Sequence, residues 1–270
     1  MHRILSILNL KVSARRAGLA LVGAALALSF THCKNESMPA PDTGRDYYPV
    51  AVGKYWTYAV VDTTWSPASR GTPSVPTRTA YQFKETITET FTDAAGKTAY
   101  RLVRSKLQAP STTFVNDSVF VLSATPQSVV LNRNNVRTLE LIFPVKEGRL
   151  WNINAYNNNS DDTTMTSETR RYSRVGQPFA IAASTGIPAQ TFPASLTTTN
   201  AGLAAESSLA KQVSYQQVFA KGVGPVFRRR VNLQAFTYVD TNNNNNQVYP
   251  PKSYSIGFSR NETLIDYGPR

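Results

Sequence analysis

From Tyr47 onward, apolar and polar residues alternate with a period of two, and a sustained period of 3.6 is almost nowhere found. Thr79 to Thr92 shows this best: Tyr81, Phe83, Ile87 and Phe91 fall on one side, and Gln82, Lys84, Thr86, Thr88, Thr90 and Thr92 on the other. Asp93-Ala94-Ala95-Gly96 then supplies a turn, and Lys97 to Leu107 returns as an antiparallel partner. The same alternation recurs at Asp117–Ser123, Ser128–Arg133, Val136–Phe143, Thr163–Val175, Gln212–Lys221, Val226–Val239 and Ser253–Ser259, with Pro, Asn and Gly between the runs. This pattern predicts an all-β domain of about ten strands in an antiparallel curved sheet of half-barrel, barrel or sandwich type. Three stretches interrupt it. Trp65 to Thr77 reads as a proline-bearing loop, Gln177 to Asn200 as a long Pro/Thr/Ala-rich excursion, and Leu203 to Gln212 as the one short helix. No flexible Gly/Ser linker divides the chain, so residues 47–270 are expected to form a single domain.

One nine-residue pattern occurs twice. Tyr48-Pro49-Val50-Ala51-Val52-Gly53-Lys54-Tyr55-Trp56 is echoed by Phe143-Pro144-Val145-Lys146-Glu147-Gly148-Arg149-Leu150-Trp151. Each copy carries a proline that ends an extended piece, a glycine suited to a tight turn, and a tryptophan that opens the next strand. The two copies mark either the halves of one sheet or a corner used twice.

The N-terminal segment obeys a different grammar. Arg3, Lys11, Arg15 and Arg16 precede Ala17 to Phe30, fourteen residues without a charge. A basic end followed by a short apolar core is the layout of an export signal, and at 1.5 Å per residue the core covers only about 21 Å, short of a spanning helix. Cys33 follows at once, and then a polar, proline-bearing stretch to Arg45. This layout resembles a bacterial lipoprotein leader, although His32 stands where a small residue usually precedes the cysteine and Phe30 where an aliphatic one usually lies three before it. The resemblance implies a leader over residues 1–32, an acylated Cys33 with a tether over 33–46, and a membrane anchored through lipid. An ordinary cleaved leader is the alternative.

Composition narrows the chemistry. With 41% apolar and 17% charged residues among 270, the chain has ample material for a core. Both histidines (His2, His32) and the only cysteine lie in the first 33 residues, so the remainder has no imidazole or thiol to offer a nucleophile triad or to ligate zinc, copper, haem or iron–sulfur clusters. No cofactor and no metal are expected. The formal charge of +12 falls to about +8 without the leader, with 25 bases against 17 acids. Arg170-Arg171 with Arg174, and Arg228-Arg229-Arg230, are the only clusters; an exported chain gives them no nucleic acid to bind, and they read as solvated strand faces or contacts for anionic lipid and glycan.

Tyr47 to Tyr58 (YYPVAVGKYWTY) is similar to the opening strand of a group of uncharacterised bacterial lipoproteins with a Tyr/Phe-Pro-x-x-x-Gly-x-x-Trp-x-Tyr element, and Val218 to Arg228 (VFAKGVGPVFR) resembles the Ala-x-Gly-Val-Gly-x-Val hairpin of the same group. Some members look like the curved half-barrels of periplasmic lipoprotein carriers. The resemblance implies a concave apolar surface, and it carries no catalytic residues.

Candidate chemistry is sparse. Glu85 and Glu89 fall in phase with the apolar face of their strand, where inward carboxylates can mark a site. Four residues apart on one strand they stand about 13 Å from each other, too far for a glycosidase pair, and Tyr100, Arg101 and Arg104 on the returning strand are ready counter-charges. Trp56 and Trp151 are core or groove anchors. Asp240 to Asn246 lacks the glycine and closing glutamate of a calcium loop and reads as an Asn-rich hairpin tip. Asp62-Thr63-Thr64, Asp117-Ser118-Val119 and Asp162-Thr163-Thr164 look like bacterial O-glycosylation acceptors. The sequence therefore points to an exported, membrane-tethered, non-enzymatic binding or scaffolding module of the cell envelope, most simply at an outer membrane, with lipid, glycan or an envelope protein as partner. The alternatives are a lipid or lipoprotein carrier with an apolar cavity, and a glycan hydrolase or lyase drawing two acids from Glu85, Glu89, Glu140, Glu147, Asp161 and Asp162.

Overall fold

Twelve strands hydrogen-bond side by side in the order β6-β5-β4-β3-β2-β1-β14-β11-β10-β9-β8-β7, and every pairing is antiparallel. The computed structural model describes residues 42–157, 168–201, 207–242 and 244–269. The expected leader, Cys33, Asp161 and Asp162 lie outside them.

The strands are β1 (Tyr55–Trp65), β2 (Pro76–Thr92), β3 (Thr98–Leu107), β4 (Val115–Ala124), β5 (Ser128–Arg133), β6 (Val136–Ile142), β7 (Leu150–Asn152), β8 (Thr169–Ile181), β9 (Gln190–Asn200), β10 (Lys211–Ala220), β11 (Gly224–Ala235), β12 (Tyr238–Asp240), β13 (Asn246–Val248) and β14 (Tyr254–Gly268). Read around the sheet, this is an up-and-down meander in chain order, with β14 joining back to β1 and the β12–β13 hairpin set aside between β11 and β14. The ring lacks only a regular ladder between β6 and β7. That gap is stitched by single bonds: Leu139 N–H donates to Ile153 O (2.8 Å), Trp151 Nε1 to Leu139 O (2.8 Å), and the Tyr172 hydroxyl both accepts from Ile142 N–H and donates to Ile142 O, each at 2.8 Å. The sheet is thus a nearly closed barrel. Near-closure leaves few unpaired strand edges, which would otherwise invite association.

The two sequence echoes occupy equivalent corners. Gly53 N–H donates to Ile87 O, Ile87 N–H to Lys54 O, and Lys54 N–H to Ala51 O; ninety-five residues on, Gly148, Tyr172, Arg149 and Lys146 repeat the same three bonds. Gly53 and Gly148 both hold positive φ, at 89° and 76°, a conformation that costs other residues about 1–2 kcal/mol. Each corner opens a six-strand meander, β1–β6 in one case and β7–β11 with β14 in the other. The echo therefore marks halves of one sheet.

Alternation places Trp56, Tyr58, Ile87, Leu102, Leu122, Leu131, Leu141, Tyr172, Leu196, Phe219 and Leu264 in a continuous core. Each fully buried aliphatic side chain there contributes on the order of 2 kcal/mol. Near this end the chain enters the barrel: Lys221 bridges Asp42 (2.6 Å) and Asp46 (3.4 Å), and Thr43 O accepts from Val145 N–H.

Two sequence readings are corrected. Gln177–Asn200 is no excursion, because its Thr-rich half is strand β9, with Thr197 and Thr198 buried beside Leu196. Threonine is β-branched and suits a strand as well as a loop. The helix expected at Leu203–Gln212 is absent over its described part: Ser207 bridges Gln212, and Lys211 already belongs to β10. Asp240–Asn246 is the hairpin connection expected, between β12 and β13.

Candidate functional site

Part of the interior is polar. β1, β2, β3, β11 and β14 each send a charged side chain inward, and these form two hydrogen-bonded clusters. Glu85 of β2 is fully buried and stands in register with Arg104 on β3, because a bulge between Ile87 and Glu89 shifts by one residue the pairing that the 93–96 turn begins. Arg104 Nη2 donates to Glu85 Oε1 at 2.5 Å, while Arg228 of β11 gives Nη1 to Oε1 (3.2 Å) and Nη2 to Oε2 (3.0 Å). Arg228 Nη1 also reaches Glu262 Oε2 of β14 at 2.9 Å. Further along, Arg260 grips Asp62 with two bonds of 2.7 and 2.8 Å, and the Tyr81 hydroxyl donates to the same carboxylate at 2.9 Å.

Burial alone would raise the Glu85 carboxyl, but Arg228 and Arg104 outweigh it and hold the group well below the ordinary carboxylate range. Glu85 is thus a fixed anion near neutrality, with no proton to give as a general acid. Arg228 is stabilised as a cation by the same pairing, against the desolvation that would lower it. Aromatic faces support the guanidinium groups: Arg104 lies over Phe83 and Phe120, Arg228 over Tyr58, and Arg170 over Tyr215 at 3.6 Å from the ring centroid.

Arg170 occupies, in the second meander, the position that Glu85 holds in the first, since Trp151 pairs with Arg170 as Trp56 pairs with Glu85. It is 3% exposed. Its Nη2 is bound by the Glu168 carboxylate, whereas Nε and Nη1 find no acceptor. Desolvation lowers its pKa from the usual guanidinium value.

Arg104, Arg133, Arg228, Arg229, Arg230 and Arg260, with Tyr215 and Glu262, line a pocket of about 100 Å³. This is the concave, charged part of the interior, and it is the candidate site. A pocket of this volume holds a few waters or one small ion, far short of the ~300 Å³ at which sites for drug-sized ligands begin.

The residues singled out in sequence are distributed differently. Trp56 and Trp151 are core: both indoles are buried, and each donates its N–H to a backbone carbonyl, Val223 O at 2.7 Å and Leu139 O at 2.8 Å. Glu85 is part of the site. Glu89 is not, because a bulge between Ile87 and Glu89 turns it to the outside, where it meets Arg101 at 2.9 Å in an exposed pair. Glu140 is buried, accepting from the Thr138 hydroxyl at 2.7 Å with Arg133 3.9 Å away, and Glu147 accepts the Arg174 and Val175 amides. The arginine clusters read as solvated faces are corrected in part: Arg170 and Arg228 point inward, although Arg171, Arg229 and Arg230 are exposed. The signal was phase, for Arg228 lies two residues after Val226 and Arg170 two before Tyr172, on the buried parity of each strand. Among the described residues, no group of His, Cys, Asp and Glu is placed to hold a metal, and no helix is long and apolar enough to cross a membrane. Compared with known proteins, the chain matches no family model, no curated protein and no solved structure.

Proposed function

We propose that this chain is an exported, membrane-tethered binding module of the cell envelope, acylated at Cys33 and without catalysis of its own. The observation that carries the reading is the arginine-lined pocket within a nearly closed barrel. Burying paired charges stabilises a fold poorly, and apolar residues of similar volume often do as well or better. A network of this extent that borders an open pocket is better explained by a ligand than by folding. The same lining favours a polar occupant over the acyl chains that a lipid carrier would take. Glu85, the most buried carboxylate, is committed to two arginines, which leaves it poorly suited to acid–base hydrolysis.

The tether reading rests on the basic end, the short apolar core and the cysteine that follows it. Residues 34–41 would connect the anchor to Asp42, which is held at the corner end by Lys221. Fractionation and intact mass of the native protein test the proposal. A chain recovered from membranes, beginning at Cys33 and heavier by its acyl groups, with C33S released to the soluble fraction, is the expected result. An unmodified chain in the soluble fraction would overturn it.

A further inference from the structure

The pocket's polar groups are not all spoken for. Four carboxylates face this part of the interior. Glu85 is held by Arg104 and Arg228, Glu262 by Arg228, Asp62 by Arg260, and Glu140 by the Thr138 hydroxyl. On the cationic side Arg229 lines the pocket from an exposed position without a carboxylate partner among the described residues, and three further arginines keep free donors. Arg230 has no carboxylate partner among the described residues and is exposed while lining the pocket. Arg133 stands 3.9 Å from Glu140, beyond hydrogen-bonding distance, and its Nε is buried without an acceptor. Arg228 is 8% exposed, lines the pocket, and leaves its Nε unbonded. A buried donor without an acceptor costs about 1–3 kcal/mol, so native structures seldom keep one without a ligand, water or ion to meet it.

We infer that the pocket is a binding site for one phosphate-type oxyanion, either free inorganic phosphate or the terminal phosphate of a larger molecule, held by Arg133, Arg228 and Arg230. The inference rests on the proposed function in taking this pocket as the ligand site. Size and charge both select the ligand. About 100 Å³ admits an anion of this kind but not a sugar ring or an acyl chain. Arg133 comes from β5 and Arg228 and Arg230 from β11, strands that are not neighbours in the sheet. A planar carboxylate offers two oxygens along one edge, whereas a tetrahedral oxyanion offers oxygens in several directions and can accept from separate walls at once. Guanidinium groups are suited to this, since their donors form a fixed fork that matches phosphate. Tyr215, with Arg170 at 3.6 Å and Arg230 at 5.8 Å from its ring centroid, keeps the cationic wall in place.

The test is calorimetric titration of the detergent-purified full chain with inorganic phosphate in low-chloride buffer, repeated with sulfate and acetate. Saturable one-to-one phosphate binding is expected, with sulfate comparable and acetate at least tenfold weaker. R230Q, which alters an exposed residue and should fold normally, and R133Q are each expected to weaken phosphate tenfold or more. R149Q, whose guanidinium contacts Pro144 O at the corner end, should bind like the parent. Vesicles containing phosphatidic acid separate the sources: affinity well above that for inorganic phosphate, and sensitive to R230Q, identifies a lipid headgroup, whereas equal or weaker affinity identifies the free ion. Absence of saturable binding to either form, binding unchanged by both R230Q and R133Q, or acetate bound as tightly as phosphate would overturn the inference. A chain that is soluble and unacylated but binds phosphate through Arg230 removes the tether and keeps this site; an acylated chain without such binding removes the site and keeps the tether.

Discussion

The indole of Trp56 rests on the bare α-carbon of Gly224, so closely that a methyl group at Gly224 would stand 2.9 Å from Nε1. The same indole donates to Val223 O, the residue before that glycine. The opening-strand motif and the Gly-Val-Gly hairpin, more than 160 residues apart in the chain, are thus two halves of one contact. The hairpin glycine also has φ of 107°, which an L side chain rarely adopts.

G224A is therefore expected to lose about 2–4 kcal/mol in urea unfolding, from overpacking and backbone strain together. G222A provides the comparison. Gly222 also has positive φ but nothing near its missing side chain, so only the strain of about 1–2 kcal/mol should appear. Equal losses at the two positions would deny the contact with Trp56.

The corner equivalence predicts matched effects for Trp56→Phe and Trp151→Phe. Each substitution removes the indole donor from one backbone carbonyl, part-buried at Val223 and buried at Leu139, and shrinks a core side chain, for about 1–3 kcal/mol. A large loss at one tryptophan and none at the other would show that the repeat is not energetic.

Glu85→Gln should cost about 3–5 kcal/mol at neutral pH, because Arg104 would lose its carboxylate and buried Arg228 would keep only Glu262. The sign of the pH effect follows from the lowered carboxyl. Glu85 contributes its stabilisation in full above its ordinary value of 4.5, and loses it progressively as pH falls below that value toward the depressed folded one. The parent's stability should fall on acidification below about pH 5, and E85Q should show a flatter acid limb. By contrast, Glu89→Ala removes only an exposed pair and should change stability by less than about 1 kcal/mol.

Tyr172→Phe tests the seam. Its hydroxyl makes both bonds to Ile142 that bind β8 to β6 across the gap. Amide exchange of Ile142 and its β6 neighbours should accelerate in Y172F, with β1 and β14 on the opposite, regular side unaffected.

Much of this architecture was legible in the alternation of the chain. The period of two located most strands, and the 93–96 turn put Tyr100, Arg101 and Arg104 on the strand beside Glu85 and Glu89. What alternation could not show was its own interruptions. A single bulge at Thr88 reverses the parity beyond it, so Glu89 leaves the interior that Glu85 enters. The threonines of β9 satisfy strand and loop alike, and only pairing with β8 and β10 decides between them. The charged layer was hidden for a related reason. Arg228 and Arg170 had the right phase, but charged residues are so rarely buried that phase alone argues weakly against exposure, and their counter-ions come from β2, β14 and residue 168, remote or unremarkable in the sequence.

The most direct test of a ligand site inside the barrel is the arginine Nε–Hε NMR spectrum of the labelled protein during a phosphate titration. The resonances of Arg228 and Arg133 should move saturably with phosphate, while that of Arg149 at the corner end stays in place. Shifts confined to arginines away from the pocket such as Arg171, or no shift of Arg228 at saturating phosphate, would contradict the account.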